Sequence, residues 1–460
     1  MRRPALIALT ATVVGTLVGA PFAVGATPKA AYAATILPKA GGEPNVTVSP
    51  SGKTVLVDGL GGSSGPADLY RSTDGGKHFT KAPIHVPKVG GGDWDMHFID
   101  EKTVVGIDLD LTAGLYVDVS KDAGLTWTQT QIQQDVYDRP WIVGRGKDVY
   151  VICKGFDAVP YMYISHDTGA TFSKTPVLLY GTGAVPKEAG GSSPTPVDAF
   201  VTNQNAYVDN LVINPTTGDV YVLYGIDDVS TYSQSKPMGT PARIYVGHLD
   251  EKESAIPTIT SHPVYLGGAG DEFYAGFNWM AVDQAGTVYV SANGKHNGHV
   301  SAWLSYSKDK GKTFSKLVDV GTPGKASVYA AIAGGSKGVL AMDYYEGTGT
   351  DPNVKQDWYA TMVTITGADT AKPKVTRTRA LAKPVHTKDI CLDGILCGVP
   401  GFGDDRSLLD YIDVAITADG SAIGIVASDG PATADVSSGT SAVVLRQTAG
   451  PKHGRGVDGT

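Results

Sequence analysis

Charged and aromatic side chains gather at five places in this chain, each just ahead of a short apolar stretch. In these segments carboxylates, guanidinium groups and flat aromatic faces occur together. Such mixtures bind sugars, because sugar rings stack on aromatic faces while hydroxyls take pairs of hydrogen bonds from charged groups. We therefore predict a glycan site built from segments 90–96, 136–142, 205–211, 272–280 and 404–412.

Two kinds of role are predicted for these side chains. The side chains that could take part in a reaction are those of Tyr411, Asp95, Asp138 and Asp93. For substrate binding, two arginines would hold an anion, and carboxylate, amide and indole groups would add further contacts. The predicted binding residues are Arg139, Arg406, Asp93, Asp405, Asn278 and Trp279. No metal ligand is assigned among them.

The neighbouring Asp-Arg pairs also have a structural interpretation. Asp138 with Arg139, and Asp405 with Arg406, would then form internal ion pairs that tie neighbouring repeats together. The residue types fit this interpretation as well as a ligand role.

A repeated eight-residue phrase indicates how the chain is built. It occurs at 72–79, 120–127, 165–172 and 307–314, with the pattern Ser-x-Asp-x-Gly-x-Thr/His-aromatic. The Ser and Asp side chains can hold a turn, and Gly can take a backbone conformation that costs other residues energy. A residue common to every repeat serves the architecture, which makes a catalytic role improbable. The four aspartates concerned are Asp74, Asp122, Asp167 and Asp309.

Seven hairpin units precede or accompany these phrases. They lie at 45–60, 94–110, 139–155, 210–226, 278–294, 328–345 and 410–430. Alternating apolar and polar residues around Gly-containing turns predict strands rather than helices. Unit starts about 45 to 80 residues apart indicate propeller blades of four short strands with loop insertions. We predict an all-β, seven-bladed β-propeller, with six blades as the alternative. The start of each inner strand would then reach one mouth of the central channel.

The ends of the chain differ in composition from this middle part. Residues 1–33 have a basic start, an apolar core and an Ala-Tyr-Ala exit, the pattern of a cleaved secretory signal. Pro21 interrupts the apolar run, which argues against a permanent membrane anchor. We predict one propeller domain over 34–450 and a loose tail over 451–460. Residues 441–448 would close the ring against the last or the first blade.

Cysteines and charge point to an exported protein. Cys391 and Cys397, six positions apart, are close enough to form a disulfide bond in an oxidising compartment, whereas Cys153 reads as a buried core residue. The formal net charge is −8, without a Lys/Arg cluster beyond the signal start, which argues against nucleic acid. The predicted partner is an extracellular glycan or glycoconjugate, and the oligomeric state is left open.

The repeated phrase resembles the Asp-box, or bacterial neuraminidase repeat, of sialidases and other secreted propellers. The stretch Tyr-Asp-Arg-Pro-Trp-Ile-Val and the Cys391–Cys397 loop with its following Asp-Asp-Arg-Ser-Leu-Leu-Asp-Tyr are similar to secreted actinobacterial proteins described as sialidase-like or exo-alpha-sialidase. The resemblance covers roughly residues 40–450. It implies a glycoside-hydrolase-type propeller with its boxes away from the site. If the chain is a hydrolase of the sialidase kind, the resemblance implies Tyr411 as the nucleophile and Asp95, Asp138 or Asp93 as the acid/base residue.

The chain departs from the sialidase pattern in two respects. Sialidases hold the substrate carboxylate with three arginines, the first in an Arg-Ile-Pro phrase that is missing here. Only Arg139 and Arg406 occupy inner-strand starts, since Arg71 and Arg243 fall on outer strands. Sialidases also have six blades rather than seven.

Two alternatives therefore accompany the hydrolase. One is a non-catalytic propeller that binds glycans or proteins at the same mouth. The other is a lyase on acidic polysaccharides, with His97 or Tyr137 as base. No cofactor is required in any of these cases, but a structural calcium ion could be held by acidic pairs. Those pairs are Asp93/Asp95, Asp227/Asp228 and Asp404/Asp405.

Overall fold

Seven antiparallel sheets follow one another along the chain and form a seven-bladed β-propeller. The structure is a computed structural model. It describes residues 29–38, 40–60, 68–82, 91–110, 114–133, 136–155, 160–173, 177–178, 204–228, 243–250, 257–268, 270–274, 277–392, 397, 405–436 and 439–456. All regular elements within these ranges are strands, as the sequence predicts.

The first four blades each use four consecutive strands, ordered from the axis outward. Blade 1 contains β2 (Asn45–Val48), β3 (Val55–Asp58), β4 (Tyr70–Ser72) and β5 (Thr80–Lys81). Blade 2 contains β6 (Gly91–Phe98), β7 (Val104–Asp110), β8 (Gly114–Ser120) and β9 (Thr128–Gln133). Blade 3 contains β10 (Val136–Arg145), β11 (Asp148–Gly155), β12 (Pro160–Ser165) and β13 (Val177–Leu178). Blade 4 contains β14 (Gln204–Ile213), β15 (Val220–Asp228), β16 (Arg243–Asp250) and β17 (Thr258–Tyr265).

The last three blades vary this plan. Blade 5 contains β18 (Glu272–Phe273), β19 (Trp279–Val282), β20 (Val288–His296), β21 (His299–Ser307) and β22 (Val318–Asp319), with β18 and β19 both paired to β20. Blade 6 contains β23 (Ser327–Gly334), β24 (Val339–Gly347), β25 (Trp358–Thr366) and β26 (Lys374–Arg379). Blade 7 contains β27 (Asp413–Ile416), β28 (Ala422–Ser428), β29 (Ser441–Ala449) and β1 (Ala31–Leu37). The seven predicted hairpins are the inner strand pairs of these blades.

The repeated phrase forms the same turn in blades 1, 2, 3 and 5, between the third and fourth strands. In each copy the Ser hydroxyl donates to the Asp carboxylate at 2.7 to 2.8 Å and accepts from the Gly N–H at 2.8 to 2.9 Å. The Thr126 side chain and further donors lower the pKa of Asp122 to about 2. These contacts agree with the structural role predicted for the four aspartates.

Blade 7 is closed by the start of the chain. β29 pairs with β28 on one side and with β1 on the other. Residues 441–448 thus join the ring within the last blade, one of the two predicted arrangements. The closing strand β1 was not predicted, because a short Ala-rich segment carries little periodicity. The leader boundary predicted after Ala33 runs through β1, where Ala33 pairs with Arg446.

The segment after β29 packs onto the ring as far as the structure describes it. His453 is fully buried, and its ring nitrogen Nε2 lies 3.0 Å from the Thr364 hydroxyl of blade 6. The Ser336 N–H donates to the His453 carbonyl at 2.8 Å. Residues 451–456 are therefore docked, in contrast to the predicted loose tail, and residues 457–460 lie outside the description.

The cysteines are arranged as the sequence indicates. Cys391 and Cys397 form a disulfide bond, with Cα atoms 6.0 Å apart, in the segment that leads to blade 7. Cys153 is a buried thiol on β11. Within the described ranges, no helix is long and apolar enough to cross a bilayer.

A buried pair of acids in blade 2 makes stability depend on pH. Asp108 on β7 and Asp118 on β8 are both fully buried. Burial, and then the neighbouring Asp108, raise the pKa of Asp118 to about 8, while Gln129 lowers it. Between about pH 4 and pH 8 the folded protein therefore binds a proton that the unfolded chain has lost. Stability falls with rising pH in this window, by at most about 1.4 kcal/mol per pH unit.

Replacing Asp118 with Asn will therefore stabilise the protein at pH 8 and leave it nearly unchanged at pH 4. The amide fills the same space and carries no charge that burial would oppose. Melting temperatures of the variant and the parent, measured at both pH values, test this. Equal shifts at the two pH values would contradict the assigned cause.

Candidate functional site

The predicted mouth contains a cluster of aromatic rings. Tyr411, just before β27, has its ring centroid 5.4 Å from Trp141, 6.0 Å from Phe277 and 6.3 Å from Trp279. Trp141 and Trp279 are 5.2 Å apart, nearly perpendicular. The other three rings are buried, and Tyr411 alone is half-buried. These residues belong to blades 3, 5 and 7, so the ring brings together parts of three of the five predicted segments.

An ion cluster adjoins these rings. Arg406 Nη2 contacts the Asp410 carboxylate and lies 3.9 Å from Glu43 Oε1. Burial alone would lower the pKa of Arg406, but the two carboxylates outweigh it and raise the pKa, so the guanidinium stays charged. Its buried Nε–H has no hydrogen-bond partner among the described residues. Since Glu43 precedes blade 1 and Arg406 precedes blade 7, this pair ties neighbouring blades, but through Glu43 and not through the ion pair of Arg406 with Asp405 that the structural interpretation predicts.

Backbone strain is concentrated around the same arginine. Among the residues that the structure describes, seven that are not glycine have positive φ, and four of them lie in tight turns: Ala123, Thr168, Asn297 and Lys310. The other three are Glu43, Leu409 and Tyr329, with φ of 48°, 60° and 57°. Each costs about 1 to 3 kcal/mol. Leu409 N–H donates to the Arg406 carbonyl at 3.1 Å, and the Tyr329 hydroxyl donates to the Cys391 carbonyl.

Below the mouth the central channel is narrow. It is lined by residues of all seven inner strands and encloses about 80 Å³. A water molecule occupies about 30 Å³, and small-molecule pockets usually measure about 300 Å³ or more. The channel has room for a few water molecules, and we expect a sugar to bind at its mouth instead.

The Asp95 side chain is buried and hydrogen-bonds to residues of neighbouring blades. Its Oδ1 accepts from Asn45 Nδ2 and from its neighbour's N–H, Met96 N, both at 3.0 Å. Its Oδ2 accepts from Ile142 N–H at 2.7 Å. The carboxylate is 8% exposed and joins blades 1, 2 and 3. We call this carboxylate, together with its hydrogen bonds to Asn45, Met96 and Ile142, the Asp95 clasp.

Asn278 and Trp279 also lie inside the ring. Asn278 is fully buried, its amide nitrogen donates to both oxygens of Asp209 at 3.2 to 3.3 Å, and its Oδ1 accepts from Asn293 N–H. This arrangement links blades 4 and 5. Trp279 is 7% exposed and offers an edge to Trp141 rather than an open face.

Asp405 anchors the segment that carries Arg406. Its Oδ2 accepts from Lys388 Nζ at 2.5 Å and its Oδ1 from Ser407 N–H at 2.9 Å. Burial would raise the pKa of Asp405, but these bonds outweigh it and lower the pKa. Arg406 therefore pairs with Asp410 and Glu43 rather than with its neighbour Asp405.

Three predicted residues are placed only through their backbone. Asp93 lies on β6, and Asp138 and Arg139 lie on β10, where Asp138 pairs with Lys154 beside an irregular register. Their side chains lie outside the described residues, as does Tyr137. His97, the other base considered for a lyase, is on β6 and lines the channel. Burial lowers the pKa of His97 to about 4, so it is neutral at ordinary pH.

The calcium sites stay a prediction, because the side chains of Asp93 and Asp404 lie outside the described residues. Asp95 and Asp405 take N–H and O–H donors as partners, whereas calcium needs six to eight oxygen ligands. One group of three potential metal ligands occurs in the described ranges, namely His386, Asp405 and Asp429. His386 Nδ1 lies 2.6 Å from Asp429, and its Nε2 lies 2.9 Å from the Asp389 carbonyl. Because both partners are acceptors, His386 itself is the cation there. The pair Asp227/Asp228 is placed on β15 only through its backbone.

Glu43 and Tyr329 were missed by the sequence analysis. Neither lies in one of the five segments, and neither belongs to a recognisable motif. Only the backbone conformation and the meeting of blades 6, 7 and 1 reveal them.

No protein-family model matches the sequence, and no characterised protein is significantly similar to it. Several solved structures resemble it in shape. A polysaccharide lyase described as an ulvan lyase is 11% identical, with 92% of this chain and 97% of that one covered and a TM-score of 0.49. YCF48 bound to a peptide is 10% identical, with 91% and 95% covered and a TM-score of 0.48. An α-L-arabinofuranosidase from Fusarium graminearum is 12% identical, with 77% and 98% covered and a TM-score of 0.45. At such identities the likeness concerns shape alone.

Proposed function

We propose that this chain is a secreted, glycan-handling propeller that binds hydroxyl-rich saccharides at the mouth around Tyr411 and Arg406. The observation that carries the proposal is the strained backbone at Glu43, Tyr329 and Leu409, three residues that lie around Arg406. Strained backbone of this kind persists at ligand sites, where the surrounding structure holds it in place.

The charges of the cluster favour a neutral sugar. One guanidinium and two carboxylates, those of Glu43 and Asp410, leave a net negative charge among the described side chains. Carboxylates accept hydrogen bonds from sugar hydroxyls, and the half-buried ring of Tyr411 offers a surface for stacking. An acidic sugar such as a sialoside would meet repulsion here.

Hydrolysis is the second candidate, because two carboxylates contact one guanidinium nitrogen. Glycosidases act through a pair of neighbouring acids, or in sialidases through a Tyr nucleophile. In that case Glu43 and Asp410 would join Tyr411 as reacting groups. The disulfide bond agrees with export to an oxidising compartment.

A panel of neutral and acidic oligosaccharides, tested for binding and for release of reducing ends, examines both candidates. We expect neutral ligands to bind, Tyr411→Ala to weaken binding about tenfold through lost stacking, and Tyr411→Phe to bind as the parent. Tyr116→Ala, which alters a half-buried tyrosine on the third strand of blade 2, is the matched control.

The outcomes separate the candidates. Turnover that is lost in Tyr411→Phe while binding persists would make the protein a hydrolase with a Tyr nucleophile. Equal glycan affinity in Tyr411→Ala, Arg406→Ala and the parent would refute the mouth as the site. Melting curves of each variant show whether the ring stays folded.

A further inference from the structure

Two histidines face each other at the tip of a hairpin in blade 5. β20 and β21 are joined by Asn297 and Gly298, with φ of 52° and 86°, the positive values of a two-residue hairpin turn. His296 and His299 are the cross-strand partners that flank this turn. Directly opposed residues have Cβ atoms about 4.5 to 5.5 Å apart and share one face of the sheet. The Cβ atoms of the two histidines are therefore close together.

Each imidazole is held by its own carboxylate. His296 Nδ1 lies 2.8 Å from Asp271 Oδ2, which also accepts from the Tyr265 hydroxyl. His299 Nε2 lies 2.8 Å from Asp319 Oδ2. Among the described residues, His296 Nε2 and His299 Nδ1 have no hydrogen-bond partner. One nitrogen of each ring is thus held by a carboxylate, which leaves the other nitrogen to contact a metal ion.

The Trp303 ring packs against both imidazole rings. The Trp303 ring centroid is 4.8 Å from that of His296 and 5.1 Å from that of His299. Its own Nε1–H donates to the Gly294 carbonyl at 3.0 Å. The side chains remain accessible, since His296 is 18% and His299 is 44% exposed. The pair is ordered by packing and still reachable from solvent.

We propose that His296 and His299 form a binding site for a late first-row divalent metal ion, of the class of Zn²⁺, Ni²⁺ and Cu²⁺. Imidazole nitrogen suits these ions, whereas calcium and magnesium need oxygen ligands. Ligating histidines usually give their second ring N–H to a carboxylate, which is the position of Asp271 and Asp319. Two protein ligands leave coordination positions for water or a ligand oxygen. The site is separate from the mouth and does not depend on the proposed glycan function.

Titration calorimetry with ZnCl₂ on the whole chain tests the site. We expect one equivalent to bind to the parent, His296→Ala and His299→Ala each to weaken binding at least tenfold, and Asp319→Asn to weaken it about 10- to 100-fold. His78→Ala is the matched control, since His78 pairs with Asp74 on blade 1 but has no second histidine opposite. Its affinity should equal that of the parent.

A spectroscopic measurement distinguishes the loss of one histidine ligand from unfolding of a variant. With one equivalent of CuCl₂, electron paramagnetic resonance should show coupling to two imidazole nitrogens in the parent and to one in either single variant. Unchanged zinc affinity in the double variant His296→Ala/His299→Ala, or a copper spectrum that the variants do not alter, would overturn the proposal.

Discussion

Replacing Asp95 with alanine will lower the free energy of unfolding by about 3 kcal/mol or more. The Asp95 clasp accepts hydrogen bonds from Asn45 Nδ2, Met96 N–H and Ile142 N–H, all in the interior. Alanine would leave these three donors buried without their acceptor, at about 1 to 3 kcal/mol for each one that water cannot reach. Urea denaturation at neutral pH measures the loss.

Two further variants are the controls for the Asp95→Ala measurement. Asp95→Asn keeps one acceptor oxygen and should lose less stability than the alanine variant. Asp435→Ala removes a carboxylate that is 87% exposed, and should change stability by less than about 0.5 kcal/mol. If Asp95→Ala unfolded like the parent but lost a glycan-directed activity, Asp95 would be the acid/base residue that the sequence predicts.

Removing β1 will open the ring. A chain of residues 38–460 lacks the strand that covers β29, together with Leu37, which is 4% exposed, and the packed side chains of Ile36 and Tyr32. Each large apolar side chain contributes about 1.5 to 3 kcal/mol when buried, and the bare strand edge invites association. Compared with residues 29–460, the shortened chain should be several kcal/mol less stable and should self-associate.

Denaturation and size-exclusion chromatography distinguish the two chains. A synthetic peptide of residues 29–38, added to the shortened chain, should restore the monomer by adding the missing strand. A chain of residues 34–460 keeps the pairing from Ala34 to Leu37 and should lie between the two. A stable monomer of residues 38–460 without peptide would show that β1 is dispensable.

Local features of the fold could be predicted from the sequence, whereas contacts between blades could not. The hairpins and the turns at Asp74, Asp122, Asp167 and Asp309 depend on residues a few positions apart, so their pattern is visible in the chain. The Asp95 clasp joins Asn45 to Ile142, which no local pattern records.

The candidate site shows the same division. Tyr411 and Arg406 were predicted from where inner strands begin; in the structure Tyr411 packs among the rings of three blades and Arg406 pairs with Glu43 and Asp410. Glu43 and Tyr329 reach it through loop conformations that are specified by packing. The pair His296 and His299 did have a local signal, because an Asn-Gly turn between two histidines predicts a hairpin with opposed imidazoles.

The closure of blade 7 by β1 also sets an order for folding. Six blades consist of strands that are neighbours in sequence, so each can form as soon as its own segment is available. The seventh joins positions far apart, as in the hydrogen bond from Thr448 to the Ala31 carbonyl across 417 residues. Contacts of such separation form slowly. We therefore expect β1 to pair after the other six blades have formed, because its partner β29 lies near the opposite end of the described residues.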